Sequence, residues 1–169
     1  TLGLLTFRGF SDVLGKTDIP IETKELAPPK KQTWPKNFFY HLSEMEKATD
    51  CIFLQRLRCT GDEPVMLEYT YLPDVKAAAL AEKPLVNNSL FATLRKKCGI
   101  DITSVEQELR AIMPDARIAK FLKVKTTTPV IHLYRKYHTD RNYFFVYSSL
   151  FCTTEKYALG NIFNQSSSK

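Results

Sequence analysis

The sequence predicts an α+β domain: a largely antiparallel sheet with helices packed against it. Strand-like runs come in adjacent pairs joined by short turns, at 51–60 with 64–72 and at 130–138 with 143–153. Strands and helices do not alternate regularly, so βαβ crossovers are not the organising unit. At 169 residues with 44% hydrophobic content, the chain is long enough for one domain with a sizeable core.

The elements follow in order. Residues 19–26 read as a first strand, which Ala27-Pro28-Pro29-Lys30-Lys31 is expected to break. A short helix is expected near Lys36–Leu42. Strands follow at 51–60 and 64–72, Pro73 ends the second, and Asp74 to Ala81 suggests an alanine-rich helix. Ser89 suits the N-cap of a helix running to about Cys98, with Gly99 at its C′ position. A strand is expected at 101–111, and Pro114 suits the first position of a helix through Leu122. Val130–His138 and Tyr143–Thr153 form a hairpin around Thr139-Asp140-Arg141-Asn142. Residues 1–169 read as one domain, with a polar tail at 164–169 expected to fray.

Composition excludes several classes. With 8 Tyr and 11 Phe the chain is too aromatic for disorder. No run approaches 18 uncharged apolar residues, and the first residues lack the pattern of a signal peptide, so a cytoplasmic protein without a membrane partner is expected. Cys51, Cys59, Cys98 and Cys152 never form Cys-x-x-Cys, and buried free thiols are expected. His41, His132 and His138 are scattered, so neither a metal site nor a cofactor is expected. The net charge of +6 is split among Lys30-Lys31, Arg95-Lys96-Lys97, and Lys120, Lys123 and Lys125, on different elements. No recognition-helix pattern accompanies them, so they read as solvated faces rather than a DNA surface.

The run that carries chemistry is Arg56-Leu57-Arg58, then Gly61-Asp62-Glu63-Pro64, Glu68 and Tyr71-Leu72-Pro73. Side chains alternate across a strand, so Arg56 and Arg58 project together. If a short Gly-Asp-Glu loop closes the hairpin, Arg56 sits opposite Glu68 and Arg58 opposite Met66. Two guanidinium forks can grip an anion, while the carboxylate accepts from hydroxyls or an amine. A solvent-facing Arg–Glu pair would give the same spacing at a few tenths of a kcal/mol. Ser89 admits two roles as well, capping its helix or presenting a helix N-terminus to a phosphate.

The same series, in the same order, resembles the UTRA domain, the effector-binding half of HutC-type regulators in the GntR superfamily. Gly9-Phe10-Ser11-Asp12 matches its opening. The Arg-Leu-Arg, Gly-Asp-Glu-Pro, Glu and Tyr-Leu-Pro series is followed by Asn88-Ser89-Leu90-Phe91 with Leu94, then Gly99-Ile100 and Glu106-Gln107-Glu108-Leu109-Arg110-Ala111. The Ala116, Ala119 and Leu122 spacing, Pro129-Val130-Ile131 and Tyr157 complete it. The resemblance implies the chorismate-lyase-like fold and a ligand sensor rather than an enzyme. DNA would be bound by a winged-helix domain preceding residue 1, and the protein would act as a homodimer, for which the strands at 130–137 and 143–151 could supply apolar surface. By correspondence, Arg56, Arg58 and Ser89 form an anion subsite with Phe10 and Ser11 nearby, and Glu68 holds the sugar of a phosphosugar effector. The chain departs from the family pattern at Val146, where a glutamate is usual, and at Cys152 and Thr153, where a tyrosine and an arginine are usual. Phe144, Phe145 and Tyr147 crowd the same strand. A pocket less directed to hydroxyls and more aromatic is therefore expected, for a small anion that is a sugar phosphate or a carboxylate. The competing function is an enzyme acting on a small carboxylate, because chorismate lyase has this fold; no Ser–His or Cys–His spacing suggests a nucleophile and its base.

Overall fold

Gly61-Asp62 forms a two-residue turn in which Gly61 takes φ +57°, joining β3 (Cys51–Thr60) to β4 (Glu63–Pro73). The computed structural model describes residues 2–3, 21–75, 77, 80, 85–155 and 159–160. Pairing starts at Thr60–Glu63 and Cys59–Pro64, then slips by one residue, so that Arg58 faces Met66 and Arg56 faces Glu68. That bulge decides the site. Without it Arg56 would face Leu67, and the Glu68 carboxylate would point to the opposite side of the sheet.

The hairpin lies inside a six-stranded antiparallel sheet of order β2-β3-β4-β7-β6-β5. Its other members are β2 (Glu22–Gln32), β5 (Ile102–Ile112), β6 (Val130–Thr139) and β7 (Val146–Cys152). A separate parallel pair, β1 (Leu2–Gly3) with β8 (Leu159–Gly160), brings the two ends of the chain together. The α+β class and the antiparallel sheet hold.

Several local expectations are corrected. The two prolines do not end the first strand: β2 continues to Gln32 through register shifts at Glu25/Ala27 and Ala27/Lys30. As an edge strand, it can turn a missing N–H donor away from the ladder. No helix forms at Lys36–Leu42; that stretch is irregular and packs aromatic rings on the sheet. The helix comes just after it, as α1 (Glu44–Lys47), where Ser43 and Glu46 complete a capping box. Pro114 lies two residues before α3 (Ala116–Leu122) rather than at its first position, because Asp115 takes the N-cap and accepts from the Ile118 N–H at 2.7 Å. β7 starts at Val146 rather than Tyr143, which sits in the turn at φ +59°. The expected Asp74–Ala81 helix and the 164–169 tail fall largely or wholly outside the described residues.

Ser89 does cap its helix, accepting from the Ala92 N–H at 3.2 Å. α2 (Leu90–Thr93) continues as a π-turn over Leu94–Cys98 and stops at left-handed Gly99. Leu90 and Leu94 pack with Ile52, Leu54, Leu72, Tyr137 and Val146, which places this helix over one sheet face. On the opposite face α3 packs Ile118 and Leu122 against Leu67, Val130 and Phe151. β6 and β7 are interior strands flanked on both sides. Their apolar residues are core, not the surplus surface expected for dimerisation.

Candidate functional site

The sheet face under α2 is apolar at both ends. One apolar cluster holds Ile52, Leu54, Leu72, Tyr137 and Val146; the other holds Met66, Leu133, Leu150 and Cys152. Between them the register lines up a diagonal polar band: Arg56 and Arg58 on β3, Glu68 and Thr70 on β4, Ser148 on β7, Arg135 on β6 and Gln107 on β5.

The band is buried and hydrogen-bonded. Glu68 accepts from Arg56 Nη2 at 2.8 Å on one oxygen and from Arg58 Nη2 at 2.9 Å on the other. The Thr70 hydroxyl donates to Glu68 at 3.1 Å and lies 2.9 Å from the Ser148 hydroxyl. Arg58 also donates to the Thr23 hydroxyl. These three charged residues are at most 6% exposed, so a solvated surface pair is ruled out. Burial alone would raise the Glu68 carboxyl; the two guanidiniums more than reverse that and hold it at about 2. Burial, and the neighbouring Arg56 after it, lowers Arg58 to about 10 against the pull of Glu68, leaving it cationic at neutral pH. One carboxylate thus serves two buried guanidiniums, and the Arg56 Nε–H is buried without a partner among the described residues.

Not every anticipated residue joins this band. Ser89 is buried on the covering helix, with its hydroxyl engaged by Ala92. Phe10, Ser11 and Tyr157 lie outside the described residues. Val146 and Cys152, where the family pattern has polar side chains, are fully buried on the arginine face. The neighbouring aromatics split: Phe144 packs with Val146, whereas Phe145 and Tyr147 belong to the opposite face near His138 and Trp34.

Arg135 went unnoticed in the sequence. It is buried, donates from Nε to Gln107 at 2.7 Å and from Nη1 to the Tyr137 hydroxyl at 3.2 Å. The signal was available, since an arginine breaks the inward series Ile131, Leu133, Tyr137 just as Arg56 and Arg58 break theirs. Also missed was a serine–histidine pair: His132 Nε2 lies 2.7 Å from the Ser149 hydroxyl on the opposite face. Its imidazole stacks on Phe151 at 4.1 Å, and burial, then Arg110, push its pKa down to about 4. The pair is buried between Tyr134 and Phe151 and reads as a satisfied core contact, not a nucleophile and its base.

A cavity of about 670 Å³ lies elsewhere, bounded by residues between Thr33 and Asp50 on the Trp34–Tyr147 side. None of the polar-band residues lines it. Among the described residues no group of His, Cys, Asp or Glu could hold a metal, and no helix is long and apolar enough to cross a membrane. Cys51, Cys59 and Cys152 are buried free thiols, and Cys98 is half-buried and free.

The family model of the UTRA domain matches residues 41–158, which take in β3, β4, the capped helix and β5 to β7. The chain belongs to the UTRA domain family. Solved structures agree on the fold. The effector domain of PhnF from Mycobacterium smegmatis superposes with a TM-score of 0.79 at 20% identity, over 95% of this chain and 98% of that one. The C-terminal domain of the histidine utilization repressor from Pseudomonas syringae pv. tomato gives 0.73 at 16% identity, over 86% and 100%. A ligand-binding domain described as that of a GntR-family transcriptional regulator, from Bordetella bronchiseptica, gives 0.73 at 18% identity, over 87% and 94%. The solved structures that share this fold are described as an effector domain, the C-terminal domain of a repressor and a ligand-binding domain.

Proposed function

We propose that this UTRA domain senses a small anionic effector, held by Arg56 and Arg58 with Glu68 and Ser89. The observation that carries the reading is the single buried carboxylate placed between two buried guanidiniums, one of which keeps an Nε–H without a partner among the described residues. An incoming phosphate or carboxylate can take up guanidinium donors, while Glu68 stays ionised and accepts from a ligand hydroxyl or amine. The apolar walls at Val146 and Cys152 favour an anion less hydroxylated than an amino-sugar phosphate. Phe10 and Ser11 are the further candidates beside the anion. The domain regulates a DNA-binding winged helix on the same polypeptide, in the cytoplasm, as a homodimer. An enzyme reading gains no support from the His132–Ser149 pair, which is buried on the sheet face opposite the arginines.

A thermal-shift screen of sugar phosphates, sugar acids and small carboxylates tests the reading. A specific binder raises stability by about 2.7 kcal/mol at a hundred times its dissociation constant. Absence of any saturable shift across all three classes would remove the anion site.

A further inference from the structure

We propose that the outer edge of β5 is the surface on which a second copy of this chain docks, antiparallel about a twofold axis at Leu109. This rests on the homodimer reading and names its interface.

The two edges of the sheet are unlike. β2 is blunted by Pro28-Pro29, two register shifts and Lys30-Lys31, devices that discourage strand addition. β5 has 11 residues, no proline or glycine, and unbroken register against β6 from Ser104 to Ile112. No strand pairs with its other side among the described residues. Its outer half is unusually apolar for an open edge: Leu109 is 49% exposed and Met113 just beyond it 62%.

The sequence along this edge is self-complementary at one register. Side chains two apart share a face, so Glu108 and Arg110 lie on one side of the sheet, and Val105, Leu109 and Met113 on the other. With Leu109 opposite Leu109 of the second copy, antiparallel pairing sets Glu108 against Arg110 and Arg110 against Glu108. Val105 then meets Met113, at both ends. Leu109 and Met113, the large exposed apolar residues of the edge, gain apolar partners, and Glu108 and Arg110 each gain the opposite charge, while Glu106 faces Ile112 and Gln107 faces Ala111. Centring on Glu108 instead would oppose two carboxylates, and centring on Gln107 would set Glu106 against Glu108. In the single chain Arg110 Nη2 already lies 3.0 Å from Glu108, so the two copies would join these pairs into a four-charge network. The isologous arrangement closes, as a dimer requires.

Two measurements on the whole chain test this. Leu109→Cys places like positions about 4.5–5.5 Å apart between Cα atoms, within reach of a disulfide, so mild oxidation should give a covalent dimer where Thr103→Cys does not. In light scattering, Glu108→Arg alone should raise the dimer dissociation constant about tenfold or more, and the exchange Glu108→Arg with Arg110→Glu should restore it. A dimer that ignores the single reversal, or fails to cross-link at Leu109→Cys, keeps the homodimer but overturns this interface. A monomer at every concentration overturns both. Cross-linking of Leu109→Cys within one chain would show the edge covered by its own polypeptide, and would also overturn the proposal.

Discussion

Glu68→Gln should destabilise the free domain by about 3 kcal/mol at neutral pH. The carboxyl is pulled from its ordinary 4.5 to about 2 by Arg56 and Arg58 against the opposing effect of burial. Each pKa unit corresponds to about 1.4 kcal/mol. Removing one partner of a buried ion pair costs about 3–5 kcal/mol, in the same range, because two guanidiniums lose their counter-charge. The sign follows from linkage. A depressed folded-state pKa gives stability that is full above the unfolded value and is lost as pH falls from about 4.5 towards 2. The wild-type domain should therefore lose about 2 kcal/mol through this group between pH 5 and pH 3. The Gln variant, which cannot titrate there, should show a flatter profile. Urea unfolding of both proteins at pH 7, 5 and 3 measures it. A variant within 0.5 kcal/mol of wild type at pH 7, with the same pH slope, would refute the buried two-arginine arrangement.

Further outcomes follow from other contacts. Tyr147→Phe removes a 2.6 Å hydrogen bond to the buried Glu46 carboxylate and should cost about 1–3 kcal/mol in urea; no change would mean α1 is not held to the sheet by this bond. His132 titrates low because it is buried neutral, so stability should fall as pH drops from about 6.5 to about 4, and His132→Gln should flatten that limb of the profile. Binding of residues 1–169 to duplex DNA should be weak, sequence-blind and strongly salt-dependent; salt-resistant binding to one operator in a mobility-shift assay would overturn the sensor reading. Amino-sugar phosphates should rank below more apolar anions in thermal shift, and a leading amino-sugar phosphate would show that Val146 does not set ligand choice.

The sequence made the β3–β4 face legible because alternation and a short turn leave few registers. Arg56 opposite Glu68 emerged correctly, although the turn has two residues and a bulge supplies the offset expected of a longer loop. Burial was not legible, since an Arg–Glu pair has the same spacing in water and in a core. It became visible only once α2 was placed over that face and apolar clusters closed both ends of the band. Because the pair is buried, Arg58→Ala should affect folding as well as binding, so lysine is the cleaner substitution. Ser43-x-x-Glu46 was readable as a helix start but was overlooked beside the aromatic run before it. The break at Arg135 was readable along its own strand, but its Gln107 partner and the Ser149 partner of His132 were not, because they arrive from neighbouring strands 28 and 17 residues away.

Calorimetric titration of the leading anion from the screen into wild type, Arg56→Lys and Arg58→Lys tests the anion site most directly. Lysine keeps the positive charge but loses the guanidinium fork, so circular dichroism should be retained. Each variant should bind more weakly by about 1.5–3 kcal/mol, the range for a charged hydrogen bond. Wild-type affinity in both folded variants would contradict the claim that Arg56 and Arg58 hold the effector.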